Sequence, residues 1–130
     1  MKKIIFTLLV LLSSLYASVT NEYPSQKTLD SHIPIVDIRT PAEWKETGIL
    51  KGAIPIMFFN ERGGYNVQKF LDTLNKKVDT KKPFAIICRT GSRTRMLSAF
   101  LSKDIGYDII NLTGGMMYAK SKNLSTVSYK

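Results

Sequence analysis

The chain is poor in the residues that form disulfides and hold transition metals. Its 130 residues include one cysteine, Cys88, and one histidine, His32. A single cysteine excludes an intramolecular disulfide and a zinc site with two or four cysteines, and a single histidine argues against a zinc finger or a two-histidine metal site. His32 precedes the first predicted strand, and we expect it on the surface. Without a candidate histidine base, the sequence also argues against a cysteine–histidine protease.

No apolar run in the chain reaches the roughly 20 residues that span a bilayer. The run at residues 4–12 follows Lys2 and Lys3 and precedes small or neutral residues up to Ala17. This order is typical of a secretory signal peptide, so we interpret residues 1–17 as a cleaved signal, with an uncleaved membrane anchor as the alternative. We therefore expect a periplasmic mature chain without stable membrane association, although such a signal is also compatible with full secretion.

Acidic residues are few: the chain has 10 Asp and Glu against 19 Lys and Arg, which gives a formal net charge of +9. A positive surface attracts small anions and acidic partners. Nucleic acid is another possible partner of a basic protein, but an exported protein rarely meets it, so we expect none. Four lysines cluster around one predicted loop, as is typical of a solvated surface: Lys76, Lys77, Lys81 and Lys82.

The remaining composition is that of an ordinary globular protein, with 44% hydrophobic and 22% charged residues. We expect one domain at residues 32–121 and a flexible C-terminal tail at 122–130. Residues 18–31 are polar and weakly patterned, which predicts an extended lead-in with one helical turn at 26–30.

Short apolar segments alternate with amphipathic segments along the predicted domain. Apolar, β-branched runs predict strands at 33–38, 53–59, 83–88 and 108–112. Capping residues and apolar spacing predict helices that begin near Thr40, Asn66, Ser92 and Met116. This alternation predicts an α/β domain with a largely parallel sheet. Ligands of such sheets bind beyond the carboxyl ends of the strands, and Cys88 lies at such an end.

The loop after Cys88 combines several features that favour a thiolate. A helix begins inside it, and the first turn of a helix offers unpaired N–H groups and partial positive charge. Arg89 and Arg93 add two full positive charges, and Gly91 allows the loop to curl so that its amides point at an anion. The pattern predicts a reactive, anion-binding cysteine. The alternative is a buried cysteine that ends a core strand, with two solvated arginines.

Three segments, taken together, resemble the rhodanese-domain sulfurtransferases. The residues Cys88-Arg89-Thr90-Gly91-Ser92-Arg93 are similar to the active-site loop of that family. Upstream, residues 36–44 with Gly48 and 52–54 resemble its N-terminal signature, and downstream residues 111–115 with Tyr118 resemble its C-terminal one. The resemblance implies a rhodanese-like α/β fold, with a central parallel sheet of about five strands and helices on both faces. It does not locate the fifth strand.

The resemblance also implies roles for individual residues. Cys88 would carry a sulfane sulfur as a persulfide, while the amides of the loop residues would cradle that sulfur: Arg89, Thr90, Gly91, Ser92 and Arg93. The guanidinium groups would help to hold an anionic donor such as thiosulfate or polysulfide. Asp37 and Arg39 would support the site from behind, unless they form only an ordinary ion pair at a strand end.

Other positions are assigned on simpler grounds. Glu43 and Trp44 are interpreted as a helix cap and a packing residue, and Gly114 and Gly115 as a turn that could also line the site. Ile49 departs from the family, which often has histidine after the glycine that corresponds to Gly48. With no second cysteine, the sulfur acceptor must be external, either a thiol or cyanide, and we expect no cofactor and no metal.

Two other functions remain open. Some rhodanese-like domains act as phosphatases or arsenate reductases through a similar loop that is one residue longer than the six residues from Cys88 to Arg93. The compact loop therefore favours sulfur over phosphate or arsenate. A sulfur carrier without turnover, or a binding module, is the second alternative, and a retained cysteine in a basic loop favours catalysis over it.

Overall fold

The computed structural model describes residues 17–130. The predicted signal peptide, residues 1–17, lies outside the described residues except for Ala17. Within the described range, no helix has both the length and the apolar character needed to cross a bilayer.

Strands and helices alternate along residues 17–130, as the apolar pattern predicts. The strands are β1 Val19–Glu22, β2 Ile35–Asp37, β3 Ile49–Leu50, β4 Ile54–Pro55, β5 Phe84–Ile87, β6 Ile109–Leu112 and β7 Thr126–Val127. The helices are α1 Gln26–Asp30, α2 Pro41–Thr47, α3 Val67–Lys77, α4 Ser92–Phe100 and α5 Gly115–Ser121. A π-helical turn, Leu101–Ile105, extends α4, and Gly106 ends it with a φ of 92°.

Five strands form a parallel sheet in the order β1-β6-β5-β2-β4, with β5 at its centre. Side chains of β5 alternate between two cores, because successive residues of a strand face opposite sides of the sheet. Phe84 and Ile86 join the core that α3 and α4 cover, whereas Ala85 and Ile87 join the core that α5 covers. The predicted α/β class, with a five-stranded parallel sheet flanked by helices on both faces, is confirmed.

The lead-in at 18–31 differs from the prediction, because it is part of the fold. Its residues 19–22 are β1, the edge strand that pairs with β6 in parallel register. This is the fifth strand that apolar runs could not reveal: all four of its residues are exposed, so it lacks the hydrophobic pattern of a buried strand. The helical turn at Gln26–Asp30 is confirmed, and Ser25 and Thr28 close a capping box at its start.

The tail at 122–130 also differs from the prediction of a flexible segment. Thr126 and Val127 pair antiparallel with β3, and the ring of Tyr129 lies 5.1 Å from that of Trp44 in an edge-on arrangement. The polar composition of the tail conceals these contacts, because a two-residue strand has too few positions to show a pattern. The tail therefore covers Trp44, which is 5% exposed.

Candidate active site

Cys88 directly follows the central strand β5 and lies at the carboxyl edge of the sheet. Three residues later, Gly91 adopts a left-handed conformation with a φ of 100° and caps α4. This turn brings the Gly91 N–H back over the sulfur, where it donates to Cys88 Sγ at 3.1 Å. A side chain at Gly91 would be strained, and its Cβ would lie 3.0 Å from the Gly114 nitrogen. Glycine therefore permits the fold of the loop over Cys88.

The first turn of α5 fixes the peptide groups that follow Cys88. The N–H of Met116 donates to the Cys88 carbonyl at 2.9 Å, and the N–H of Met117 donates to the Arg89 carbonyl at 3.0 Å. In a trans peptide the carbonyl and the following N–H point in opposite directions. The N–H groups of Arg89 and Thr90 are therefore turned away from α5.

Gly115 allows this close approach of α5 to the loop. Its φ is 58°, and a Cβ at this position would lie 2.5 Å from the Cys88 carbonyl oxygen. Gly114, with a φ of 79°, makes the turn that precedes the helix. The expected turn at Gly114 and Gly115 is present, and it also contacts the backbone of the candidate site.

The hydroxyl of Thr94 also lies near the sulfur. Thr94 Oγ1 is 3.5 Å from Cys88 Sγ and donates to the Gly91 carbonyl at 3.2 Å. Both Cys88 and Thr94 are completely buried, whereas Arg89, Thr90 and Ser92 are exposed and Gly91 and Arg93 are half-buried. Sequence reasoning missed Thr94, although its position on the first turn of α4 places it beside the cysteine.

Arg93 points to a carboxylate rather than to the sulfur. Its two terminal nitrogens donate to the two oxygens of Glu43, each at 2.8 Å, in a bidentate ion pair. The hydrogen bonds to Glu43 are the main cause that raises the pKa of Arg93, and burial opposes them. The hydrogen bonds from Arg93 likewise lower the pKa of Glu43, again against the effect of burial. Both groups are therefore charged at neutral pH.

Glu43 also performs the capping role that the sequence predicts. Its carboxylate accepts from the backbone of Thr40 at 3.4 Å, and its own N–H donates to the Thr40 hydroxyl at 3.3 Å. The ion pair with Arg93 was not predicted, because 50 residues separate the partners. A signal does exist in the topology: α2 and α4 follow the adjacent strands β2 and β5, so both helices begin at the same edge of the sheet.

Asp37 and Arg39 form a buried ion pair at the end of β2. Arg39 donates to Asp37 at 2.8 Å, and neither side chain is more than 1% exposed. Arg39 also donates to the Thr47 hydroxyl at 2.7 Å and the Gly48 carbonyl at 2.8 Å, while the Trp44 indole donates to Asp37 at 3.1 Å. These contacts fasten α2 to β2. The Asp37–Arg39 pair therefore acts on the candidate site indirectly, because it holds α2, the helix that carries Glu43.

The cationic residues near the loop are partly neutralised. Arg39 is paired with Asp37 and Arg93 with Glu43. Within residues 17–130, Arg89 has no carboxylate within 4 Å. The same part of the chain holds no group of three or more His, Cys, Asp or Glu side chains arranged to bind a metal ion.

A cysteine directly follows the central strand of a parallel sheet and lies beside a glycine turn and the N-terminus of a helix. This arrangement places the chain among α/β domains that carry a cysteine at the carboxyl edge of the sheet. The family comparison makes the assignment narrower. Residues 21–122 match the family model of the rhodanese-like domain. The chain therefore belongs to the rhodanese-like domain family, whose members are commonly sulfurtransferases or have other roles in sulfur chemistry.

The chain is also similar to another protein sequence and to solved structures. An uncharacterized protein of Rickettsia prowazekii is 33% identical over 91 residues, which cover 67% of this chain and 72% of that protein. A rhodanese-like domain protein from Staphylococcus aureus has a TM-score of 0.58 at 22% identity, over 85% of this chain and 98% of its own. A rhodanese-related protein from Thermoplasma volcanium has a TM-score of 0.56 at 22% identity, over 77% and 88% of the two chains. At these identities the two structures support the fold.

Proposed function

We propose that the protein is a sulfurtransferase that moves a sulfane sulfur from an anionic donor, thiosulfate or polysulfide, to an external acceptor through a persulfide on Cys88. The Cys88 thiolate attacks the outer sulfur of the donor. A bond forms between Sγ and that sulfur, the sulfur–sulfur bond of the donor breaks, and its electron pair leaves with sulfite or with a polysulfide shortened by one atom. A second nucleophile then removes the sulfur and regenerates the thiolate.

The N–H of Gly91, 3.1 Å from Cys88 Sγ, is the observation that carries this proposal. A backbone donor at that distance stabilises negative charge on the sulfur, as an oxyanion hole stabilises charge on oxygen. The Arg89 and Thr90 amides, which the contacts with α5 hold turned away from that helix, would add two donors for the outer sulfur of a persulfide. A cysteine that served only to pack the core would need no backbone N–H directed at its sulfur.

The burial of Cys88 adds a step to this reaction. Cys88 has no exposed surface, so a donor can reach the sulfur only after residues that cover it move. The exposed positions of Arg89, Thr90 and Ser92 place this part of the loop next to solvent. We therefore expect binding of the donor to be coupled to a movement that uncovers Cys88.

The acceptor must come from outside the chain, because Cys88 is its only cysteine. A small thiol, a protein thiol or cyanide has the required affinity for sulfane sulfur. We further propose that residues 1–17 direct export to the periplasm, where such a chain would meet inorganic sulfur anions. Sequencing the N-terminus of the protein from cells tests export, and an intact N-terminus on protein in the cytoplasm would contradict it.

Intact-mass spectrometry tests the chemistry directly. The protein is incubated with thiosulfate or polysulfide, and Cys88→Ser serves as the control. We expect one added sulfur atom per chain, absent from the variant and removed by cyanide. The absence of an adduct with every sulfane donor would refute the proposal, whereas one transferred sulfur without sustained turnover would identify a carrier. Hydrolysis of an aryl phosphate that depends on Cys88 would point instead to a phosphatase.

A further inference from the structure

The bidentate pair of Arg93 and Glu43 raises a question about donor recognition. A guanidinium that could bind the oxyanion of a donor has both terminal nitrogens bound to a carboxylate, each at 2.8 Å. This geometry is the strong, directional form of an arginine–carboxylate contact. A donor oxyanion that needs Arg93 must therefore displace Glu43 or approach beside its negative charge.

The partial burial of the pair makes this competition significant. The Arg93 side chain is 26% exposed and the Glu43 side chain 22%. Charges in such a position are less screened than those of a fully exposed surface pair. The lowered pKa of Glu43 keeps its carboxylate ionised at neutral pH, so its repulsion of an incoming anion persists during the reaction.

The local charge is also balanced. Four groups near the loop carry negative charge: Asp37, Glu43, Glu46 and a Cys88 thiolate. Four carry positive charge: Arg39, Arg89, Arg93 and Lys120. Two of these arginines are held by carboxylates. Only weak net attraction therefore remains for a donor with two negative charges.

We propose that Glu43 is a specificity-determining residue that selects against doubly charged sulfur donors such as thiosulfate and in favour of singly charged ones. This inference rests on the sulfurtransferase function proposed above. Glu43 acts through the charge that it places beside the donor and through its hold on Arg93. It forms no bond with the transferred sulfur.

Two donors that differ by one charge separate this effect from other properties. Thiosulfate carries two negative charges and leaves as sulfite, while methanethiosulfonate carries one and leaves as methanesulfinate. In both reactions Sγ bonds to the outer sulfur, and the electron pair of the broken sulfur–sulfur bond departs with the leaving group. Total charge is conserved in each case, and the same Cys88 persulfide results.

Glu43→Gln is the informative variant. Glutamine still forms the capping box with Thr40, so α2 keeps its N-terminal contacts, but the negative charge is lost and Arg93 is no longer held in an ion pair. Glu61→Gln is the control, because it removes the same charge at an exposed position that has no ion pair within residues 17–130 and lies outside the cavity lined by Glu43 and Arg89.

The experiment measures kcat/KM for each donor with cyanide as acceptor, relative to the rate of a free thiol with the same donor. We expect Glu43→Gln to raise kcat/KM about tenfold for thiosulfate and less than threefold for methanethiosulfonate, the scale of a partly screened charge interaction. The control should change neither value by more than about twofold. Equal changes for the two donors, or a loss with both, would overturn the inference and give the pair a purely structural role.

Two further measurements distinguish a failure of the inference from a failure of the proposed function. If the wild-type protein forms no persulfide with either donor, as judged by intact mass, the proposed function fails. If Glu43→Gln does not fold, the wild-type ratio of the two normalised rates decides: a ratio that favours methanethiosulfonate supports the inference, and one that favours thiosulfate contradicts it.

Discussion

Replacing Gly115 with alanine tests whether α5 fixes the peptide groups around Cys88. Gly115 has a φ of 58°, and an added Cβ would lie 2.5 Å from the Cys88 carbonyl oxygen and 2.6 Å from the Arg89 carbonyl carbon. Both neighbours are backbone atoms, which cannot rotate away as a flexible side chain can. We expect α5 and the loop to move apart, with the loss of the hydrogen bonds from Met116 and Met117.

The size of the effect follows from these contacts. A left-handed conformation costs a residue with a Cβ about 1–2 kcal/mol. The two lost hydrogen bonds add about 0.5–1.5 kcal/mol each. Gly115→Ala should therefore lower the free energy of unfolding by about 2–5 kcal/mol. It should also slow persulfide formation on Cys88, because the amides of Arg89 and Thr90 lose their orientation.

Gly52→Ala is the matched control for this substitution. Gly52 has a φ of 84°, but an added Cβ would have no neighbour within 4 Å. The control therefore carries the conformational cost alone, about 1–2 kcal/mol. Urea unfolding measures stability, and intact mass against time measures persulfide formation. If Gly115→Ala matched Gly52→Ala in both measurements, the reasoning about peptide orientation would be wrong.

Three further perturbations test the remaining contacts. Arg39→Met leaves the Asp37 carboxylate buried without its ion pair, so urea unfolding should show a loss of about 3–5 kcal/mol; a loss below about 1 kcal/mol would contradict this account. Thr94→Val removes the hydroxyl that donates to the Gly91 carbonyl at 3.2 Å and so loosens the turn over Cys88; it should slow persulfide formation, while Thr94→Ser should restore the rate, and equal rates for the three proteins would exclude a role for the hydroxyl. The pKa of Glu43 is lowered from its ordinary value of 4.5, so its ion pair stabilises the folded protein fully only above that pH. The stability advantage over Glu43→Gln should shrink as the pH falls below 4.5 and disappear below the lowered pKa; an advantage that persisted there would contradict the ion pair as its source.

The buried part of the fold was predictable from sequence because buried parallel strands are continuously apolar. The segments around Ile35–Asp37, Phe84–Ile87 and Ile109–Leu112 stand out for this reason, and their order with the intervening helices predicts the sheet. The edge strand Val19–Glu22 escaped detection because its residues are exposed and mostly polar. The tail strand Thr126–Val127 escaped because it is too short to show a period.

Local features of the site were likewise predictable from the sequence, whereas contacts between distant segments were not. The position of Cys88 before a glycine turn and a helix is local, and the sequence predicts it. The direction of the Arg93 side chain depends on Glu43, which lies on another helix, and no pattern within the loop reports that choice. The roles of Cys88, the 89–93 loop and the Asp37–Arg39 pair in sulfur transfer stay predictions until the persulfide is sought.

The pairing of β1 with β6 has a consequence for how the chain folds. Asn21 lies beside Asn111 across the sheet, 90 residues away in sequence. β1 therefore waits for its neighbour until the residues up to β6 have been synthesised. Contacts of such long range slow folding. We expect docking of this edge to be a late event in folding, after the central strands have assembled.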